Sequence, residues 1–410
     1  MFPFSRLRQF TAEHNSILPL SGMILFWAIF DGILIYAAPI IFSRAGLSNT
    51  ELGIVLGSSS LFGAAFDILI SRFVRNPDYR KLYLAFFIAC ALVPLILWQA
   101  KTVPFFILVM LLWGIYFDFL NFGNLDFVSR FAHEKGRTLF FSIISFSKSA
   151  GYILAPMLAG LAIASLVDST LFILMWVFLA IAFLFFVAFS AISRKDVTPV
   201  KHGYEQKGLV SEIRTWWRVG KILWSPLLFT TLFCLYDAFF YTLGPLLAES
   251  YHEIQPYNGL IVAAYWVPTF LVSLSAAGIA ERWGKKRTAF IGLIFGAVPL
   301  LLFAPATSPW LVMLLIFISA IFSSLCIPAI NAAYADYISE AREYEEDIEG
   351  VGDFMTNMGY VIGPAMAGII SDKIGYTGSF TVLGIVLIIS VGLLLKVTPK
   401  HINIKRLYRR

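Results

Sequence analysis

Four ionisable side chains stand inside long apolar runs, and their types and positions could do chemistry: Asp31, Asp118, Lys148 and Asp237. A charge without water around it costs several kcal/mol, so each must face protein, a wet cavity or a partner of opposite sign. Desolvation favours the neutral form of a carboxyl group, the property that a reversible proton site needs. One lysine cannot neutralise three acids. At least one aspartate must therefore take a proton, a solvated cavity or a cationic substrate, and Asp31 and Asp237 are the candidates for proton coupling or for the substrate's charge. Asp118 and Lys148 are the candidate cavity ion pair.

The elements that must position these groups are apolar helices. Hydrophobic residues make up 59% of the 410 positions and charged residues 14%, far from a soluble domain and in keeping with an integral membrane protein. The run from Ile17 to Phe42 carries Asp31 as its one charge and is long enough to cross a bilayer core of about 30 Å. It is too long for the core of a secretory signal, so no cleavable leader is expected. Hydropathy predicts twelve spans, near 17–42, 51–73, 82–100, 104–129, 138–165, 169–193, 222–248, 258–281, 288–305, 309–335, 350–371 and 378–396. Of the 31 Lys and Arg residues, all but Arg44, Lys101, Lys373 and the span-borne Lys148 fall in the termini and even-numbered loops, which puts both termini in the cytoplasm. Cys90, Cys234 and Cys326 lie in apolar runs with no disulfide or metal spacing.

The chain repeats itself. FDGILIYAAP (Phe30 to Pro39) returns as YDAFFYTLGP (Tyr236 to Pro245), placing Asp31 on Asp237. ALVPLILW returns as GAVPLLLF, and GYILAPMLAG (Gly151 to Gly160) as GYVIGPAMAG (Gly359 to Gly368). Near-constant offsets in the same order imply two parallel repeats of six spans. The expected domains are an N-terminal bundle over 1–192, a cytoplasmic linker with an interfacial helix over 193–221, and a C-terminal bundle with a basic tail over 222–410. In the linker, Trp216 and Trp217 beside Arg214, Arg218 and Lys221 suit a helix at the headgroup layer. The acidic run Glu343 to Glu349 reads as a solvated loop, and Asp126 as a near-cytoplasmic acid with Arg130 as its i,i+4 partner.

Six plus six spans, cytoplasmic termini and a long central loop resemble the major facilitator superfamily. Gly278, Glu281, Arg282, Gly284 and Lys285 look like its loop signature, in which glycines permit a tight turn and close helix approach while the charges lock a cytoplasmic gate. The first-half copy keeps Gly63 and Asp67 and lacks the basic side. Gly151, Pro156 and Gly160 are similar to a packing motif of proton-driven antiporters, with Ala155 where glycine is usual. Gly359, Gly363, Pro364 and Gly368 form the fuller copy. An arginine common in span four of such antiporters is absent, with Met110 in its place.

The resemblance implies an all-α membrane protein, twelve transmembrane helices in two parallel repeats around a central cavity lined by spans one, four, seven and ten. Its candidate lining residues are Trp27, Tyr36, Tyr116, Asn121, Tyr236, Tyr241, Trp266 and Ser324, an aromatic set suited to cations. The expected function is secondary transport of a small organic solute coupled to protons, with efflux by antiport preferred. The alternative is proton or sodium symport for uptake of a sugar-like or other small metabolite; a non-transporting receptor ranks third. An enzyme is not expected, because no histidine lies in a span and no nucleophile–base pairing or phosphate loop occurs. The expected partners are a small-molecule substrate, protons and the lipid bilayer of the plasma membrane. The chain is expected to act as a monomer without cofactor, catalytic or metal site or nucleic acid.

Overall fold

The computed structural model describes residues 16–73, 78–131, 134–164, 169–193, 209–399 and 402–408. Among them the chain is helical throughout, with no strand: α1 Ile17–Arg44, α2 Asn49–Phe73, α3 Tyr79–Gln99, α4 Val103–Phe131, α5 Glu134–Ala164, α6 Thr170–Ile192, α7 Leu209–Ser250, α8 Gly259–Trp283, α9 Lys285–Ala297, α10 Pro309–Ser323, α11 Cys326–Glu340 and α12 Glu345–Val397. Among the described residues, eight stretches are long and apolar enough to cross a membrane. The protein is an all-α, multi-pass membrane protein built as two repeats.

Helix ends fall where backbone chemistry dictates. Gly46 leaves α1 at φ 92°, with its N–H on Ser43 O at 3.0 Å, a left-handed exit that glycine adopts without strain. Ser48 and Glu51 then form a reciprocal capping box at the start of α2, Ser48 N to Glu51 Oε2 at 2.9 Å and Glu51 N to Ser48 Oγ at 3.2 Å. The two remaining first-turn donors, Asn49 N and Thr50 N, reach the Asp372 carboxylate at 3.0 and 2.9 Å, joined by the Thr50 hydroxyl at 2.6 Å.

Three expected boundaries change. Span ten is two helices: Pro328 has no N–H for the Ser324 carbonyl and crowds it, so the chain breaks between α10 and α11. Span nine ends its α-helix at Ala297, and Pro299 starts a 3₁₀ turn to Leu302. Spans eleven and twelve run on as α12, bent at Gly375 (φ 75°, ψ 178°). The acidic run is not a loop: Glu345, Glu346 and Asp347 form the first turn of α12, where negative charge meets the positive end of the helix dipole.

The chain divides into two compact units, one of residues 1–46, 61–203 and 252–263, the other of residues 47–60, 204–251 and 264–410. In the first, α1 packs on α5 and α6, and α3 on α4. Rings of Tyr79, Tyr83, Phe127 and Phe189 meet edge to face. Asp126 Oδ2 accepts the Tyr79 N–H at 2.9 Å, so this buried acid caps α3; the Arg130 side chain lies outside the described residues.

In the second unit α7 packs along α12. The early part of α7 is a separate arm, bent at Leu223 (φ −98°) just ahead of Pro226, whose ring crowds the Ile222 carbonyl. Its inner face (Val219, Leu223) joins Leu227, Tyr337, Ile348 and Ile404 in an apolar cluster. Its outer face shows Ile213 and Trp217 at 64% and 68% exposure, with Lys221 Nζ 5.2 Å from the Trp217 ring.

Candidate functional site

Each unit holds one acid dressed by aromatic donors. In the first, Asp31 is fully buried on α1. Its Oδ1 accepts Trp113 Nε1 at 3.1 Å and a short bond from the Tyr116 hydroxyl, both from α4. Its Oδ2 accepts Tyr152 Oη from α5 at 2.6 Å. Lys148, one turn before Tyr152, lies within electrostatic reach of the carboxylate. Its Nζ sits 4.9 Å from the Phe117 ring, 5.5 Å from Trp27 and 5.6 Å from Tyr152.

In the second, Asp237 on α7 accepts a short bond from Tyr265 of α8 on Oδ1 and Tyr360 Oη of α12 on Oδ2 at 2.8 Å. Tyr152 and Tyr360 hold the same place in the two copies of the packing motif. The repeat therefore extends from helix order down to the tyrosine that meets each carboxylate. The remaining partners differ, α4 residues for Asp31 and an α8 residue for Asp237.

The packing motif explains how the tyrosines arrive. A β-carbon on Gly151 would lie 2.6 Å from Ala28 Cβ and 2.7 Å from Leu25 O; on Gly359 it would lie 2.5 Å from Cys234 Cβ and 2.8 Å from Thr231 O. Glycine at both places lets α5 onto α1 and α12 onto α7, which carries each tyrosine to its acid. Gly160 packs on Gly259 at the start of α8, and Gly368 on Asn49 and Thr50 at the start of α2. Pro156 and Pro364 stand within their helices, their carbonyls against Gly259 and Gly53.

Other candidates fall in varied places. Trp27 and Tyr36 are fully buried on α1, and Tyr116 is an Asp31 donor. Tyr236 shares its hydroxyl with Ser319 Oγ at 2.7 Å and Ser323 Oγ at 3.1 Å. Ser324, the residue expected to line the cavity, donates to Ile321 O at 2.8 Å in its own helix. Tyr241 Oη reaches Tyr360 O at 3.5 Å, and the Trp266 ring stands edge-on to Tyr265 at 5.4 Å. Asn121 is exposed. Asp118 is buried on α4, and a β-carbon on Gly63 would lie 3.4 Å from its Oδ2; Asp67 is half-buried on α2.

In the loop between α8 and α9 the tight turn is made by Gly284 at φ 91°. Gly278 does not serve a close helix approach, since a β-carbon there would meet nothing within 4 Å. Lys285 Nζ bonds Asp336 Oδ1 at 2.6 Å and Ala332 O at 3.1 Å, while Glu281 and Arg282 are exposed. Sequence reasoning missed Trp113, Tyr152, Tyr265 and Tyr360 as partners of the acids. For Tyr152 and Tyr360 a signal existed, because a tyrosine follows the first glycine in both motif copies.

Comparison with known proteins agrees with this architecture. Over 155 residues the chain is 24% identical to the MFS-type transporter ppzB of Metarhizium rileyi (strain RCEF 4871), a match covering 37% of this chain and 31% of that protein. Over 114 residues it is 27% identical to the quinolone resistance protein NorA of Staphylococcus aureus, covering 28% of this chain and 29% of NorA. The chain thus matches under a third of either relative's length. The crystal structure of the nucleoside transporter NupG shares the fold with a TM-score of 0.72 at 15% identity, over 93% of this chain and 99% of that one. A bacterial homolog of the human lysosomal transporter Spinster gives 0.69 at 13% identity, over 96% and 97%. The family model named Major Facilitator Superfamily matches twice, at residues 20–255 and 230–407. With two helical repeats, an acid in each and family matches across nearly the whole chain, this protein belongs to the Major Facilitator Superfamily.

Proposed function

We propose that the protein is a proton-coupled secondary transporter that expels a small organic solute by antiport. The carrying observation is the pair of matched clusters in which a carboxylate on the first helix of each repeat accepts a tyrosine hydroxyl from the fifth, Asp31 from Tyr152 and Asp237 from Tyr360. A buried carboxylate ringed by neutral donors can hold its charge or take a proton. The difference between those states is large enough to bias a two-state protein. Asp31 and Asp237 are the coupling or substrate-charge groups, and Asp118 with Lys148 tunes the switch. The resistance protein NorA supports efflux, and the nucleoside transporter NupG keeps uptake by symport as the competing direction.

The proposed setting is a monomer in the plasma membrane, and the distribution of Lys and Arg supports cytoplasmic termini. Its proposed division is 1–192, a linker at 193–221 and 222–410. A cysteine placed at Ser48 should label from outside and one at Lys201 should not; the opposite pattern would reverse the orientation.

The test of coupling uses proteoliposomes, a panel of candidate solutes and an imposed pH gradient. Asp31→Asn or Asp237→Asn should leave a folded protein that no longer moves solute against its gradient. Normal pH-driven transport by both single variants and the double variant would make these acids structural. The sign of the gradient that drives accumulation separates antiport from symport.

A further inference from the structure

We infer that the three rings around Lys148 form a binding cage for an organic ammonium group, and that Lys148 is its built-in occupant, a tethered cation that a cationic ligand must displace. The Lys148 Nζ lies 4.9 Å from the centroid of Phe117, 5.5 Å from Trp27 and 5.6 Å from Tyr152. All three are within the roughly 6 Å over which a ring face attracts a cation.

The walls come from three different helices, α1, α4 and α5, so the tertiary fold assembles the cage. Two walls are fixed. Trp27 is fully buried, edge-on to Phe86, Tyr116 and Phe117, and Tyr152 is pinned through its hydroxyl to Asp31. Lys148 and Phe117 are only half-buried, so one side of the cage is open. Asp31 lies behind the Tyr152 wall and draws in positive charge. An ammonium in three ring faces beside a carboxylate meets the same surroundings as a bound quaternary ammonium, with a four-carbon tether as the difference.

The position corresponding to Lys148 in the second repeat is Thr356, whose Oγ1 bonds Gly352 O at 3.0 Å. The ammonium is therefore an addition to the first repeat and no requirement of the packing motif. Its consequence is selectivity: the resident ammonium competes with weakly held cations and yields to ligands that bring extra apolar contact. The physiological meaning of this device rests on the reading of the bundle as a transporter of organic solutes; the cage itself is a binding property.

The probe is benzyltrimethylammonium, with its uncharged isostere neopentylbenzene as control, and equilibrium binding is measured on the purified full-length protein. Lys148→Met should bind the cation at least tenfold tighter than the unaltered protein, with no such gain for the isostere. Lys148→Arg should show no gain. Phe117→Leu, which keeps Lys148 and removes one wall, should weaken cation binding in the unaltered background and cancel the gain when combined with Lys148→Met.

Equal cation affinity in Lys148→Met and the unaltered protein would overturn the proposal, as would a gain shared by the isostere. Should Lys148→Met fail to give monodisperse protein, unchanged cation binding in Phe117→Leu would overturn it alone. These readouts need no transport, so loss of pH coupling and loss of the cage are separately visible.

Discussion

Ala155 lies against Gly32 so closely that a β-carbon on Gly32 would stand 2.5 Å from its own. In the second repeat the roles are exchanged: Gly363 takes the place of Ala155, and Ala238 takes the place of Gly32, again with 2.5 Å between the would-be β-carbon and its neighbour. Each crossing tolerates one methyl group and not two. Ala155, which departs from the usual glycine of the motif, is accommodated by a glycine on the opposing helix.

This exchange predicts a rescue. Gly363→Ala should destabilise the protein by about 1–3 kcal/mol, as overpacking does. Adding Ala238→Gly should recover most of that loss, because the pair then reproduces the first repeat. Thermal unfolding of the two single variants and the double variant in detergent measures the coupling. Additive losses would show that the methyl groups do not share one space.

The first turn of α2 is closed by a residue more than three hundred positions away. Burial alone would raise the Asp372 carboxyl, but hydrogen bonds to its anion from the Thr50 hydroxyl and the Thr50 and Asn49 amides together outweigh that and hold it below the ordinary value of 3.8. A depressed carboxyl contributes stability above its unfolded value and loses it as pH falls through the folded one. The contact is therefore intact at neutral and mildly acidic pH and lost only below the ordinary aspartate range. Asp372→Ala should speed amide exchange at Asn49 and Thr50 at pH 7 and leave α3 unchanged. Equal protection in the variant would remove Asp372 as the cap.

Lys285 bridges the start of α9 to the C-terminal part of α11 through Asp336 and Ala332 O. Both side chains are partly exposed, at 31% and 56%, so the pair adds about 1 kcal/mol or less to stability. As a gate element it should matter for cycling instead. Asp336→Ala and Lys285→Ala should each slow transport several-fold, the double variant no further, with melting shifts of about 2 °C. Unimpaired cycling in both single variants would leave the bridge a surface contact without a gating role.

The sequence by itself determined the membrane class, the all-helical fold, the repeat and the correspondence of Asp31 with Asp237. Those properties are local: apolar length decides what can cross a bilayer, and a duplicated segment keeps its spacing wherever it folds. Pro328 and Pro299, whose missing N–H groups break spans ten and nine, stand in the sequence, but hydropathy runs both spans straight through them. Only the tertiary structure decided the partners. Hydropathy is nearly uniform around a helix such as α1, so it carries no record of which face meets which neighbour. For that reason the tyrosines of α5, α8 and α12 on the two acids, Asp126 on α3 and Asp372 on α2 were not legible. The same holds for the Gly32–Ala155 exchange: a missing methyl group gains meaning only when the opposing helix supplies the atom that would have met it.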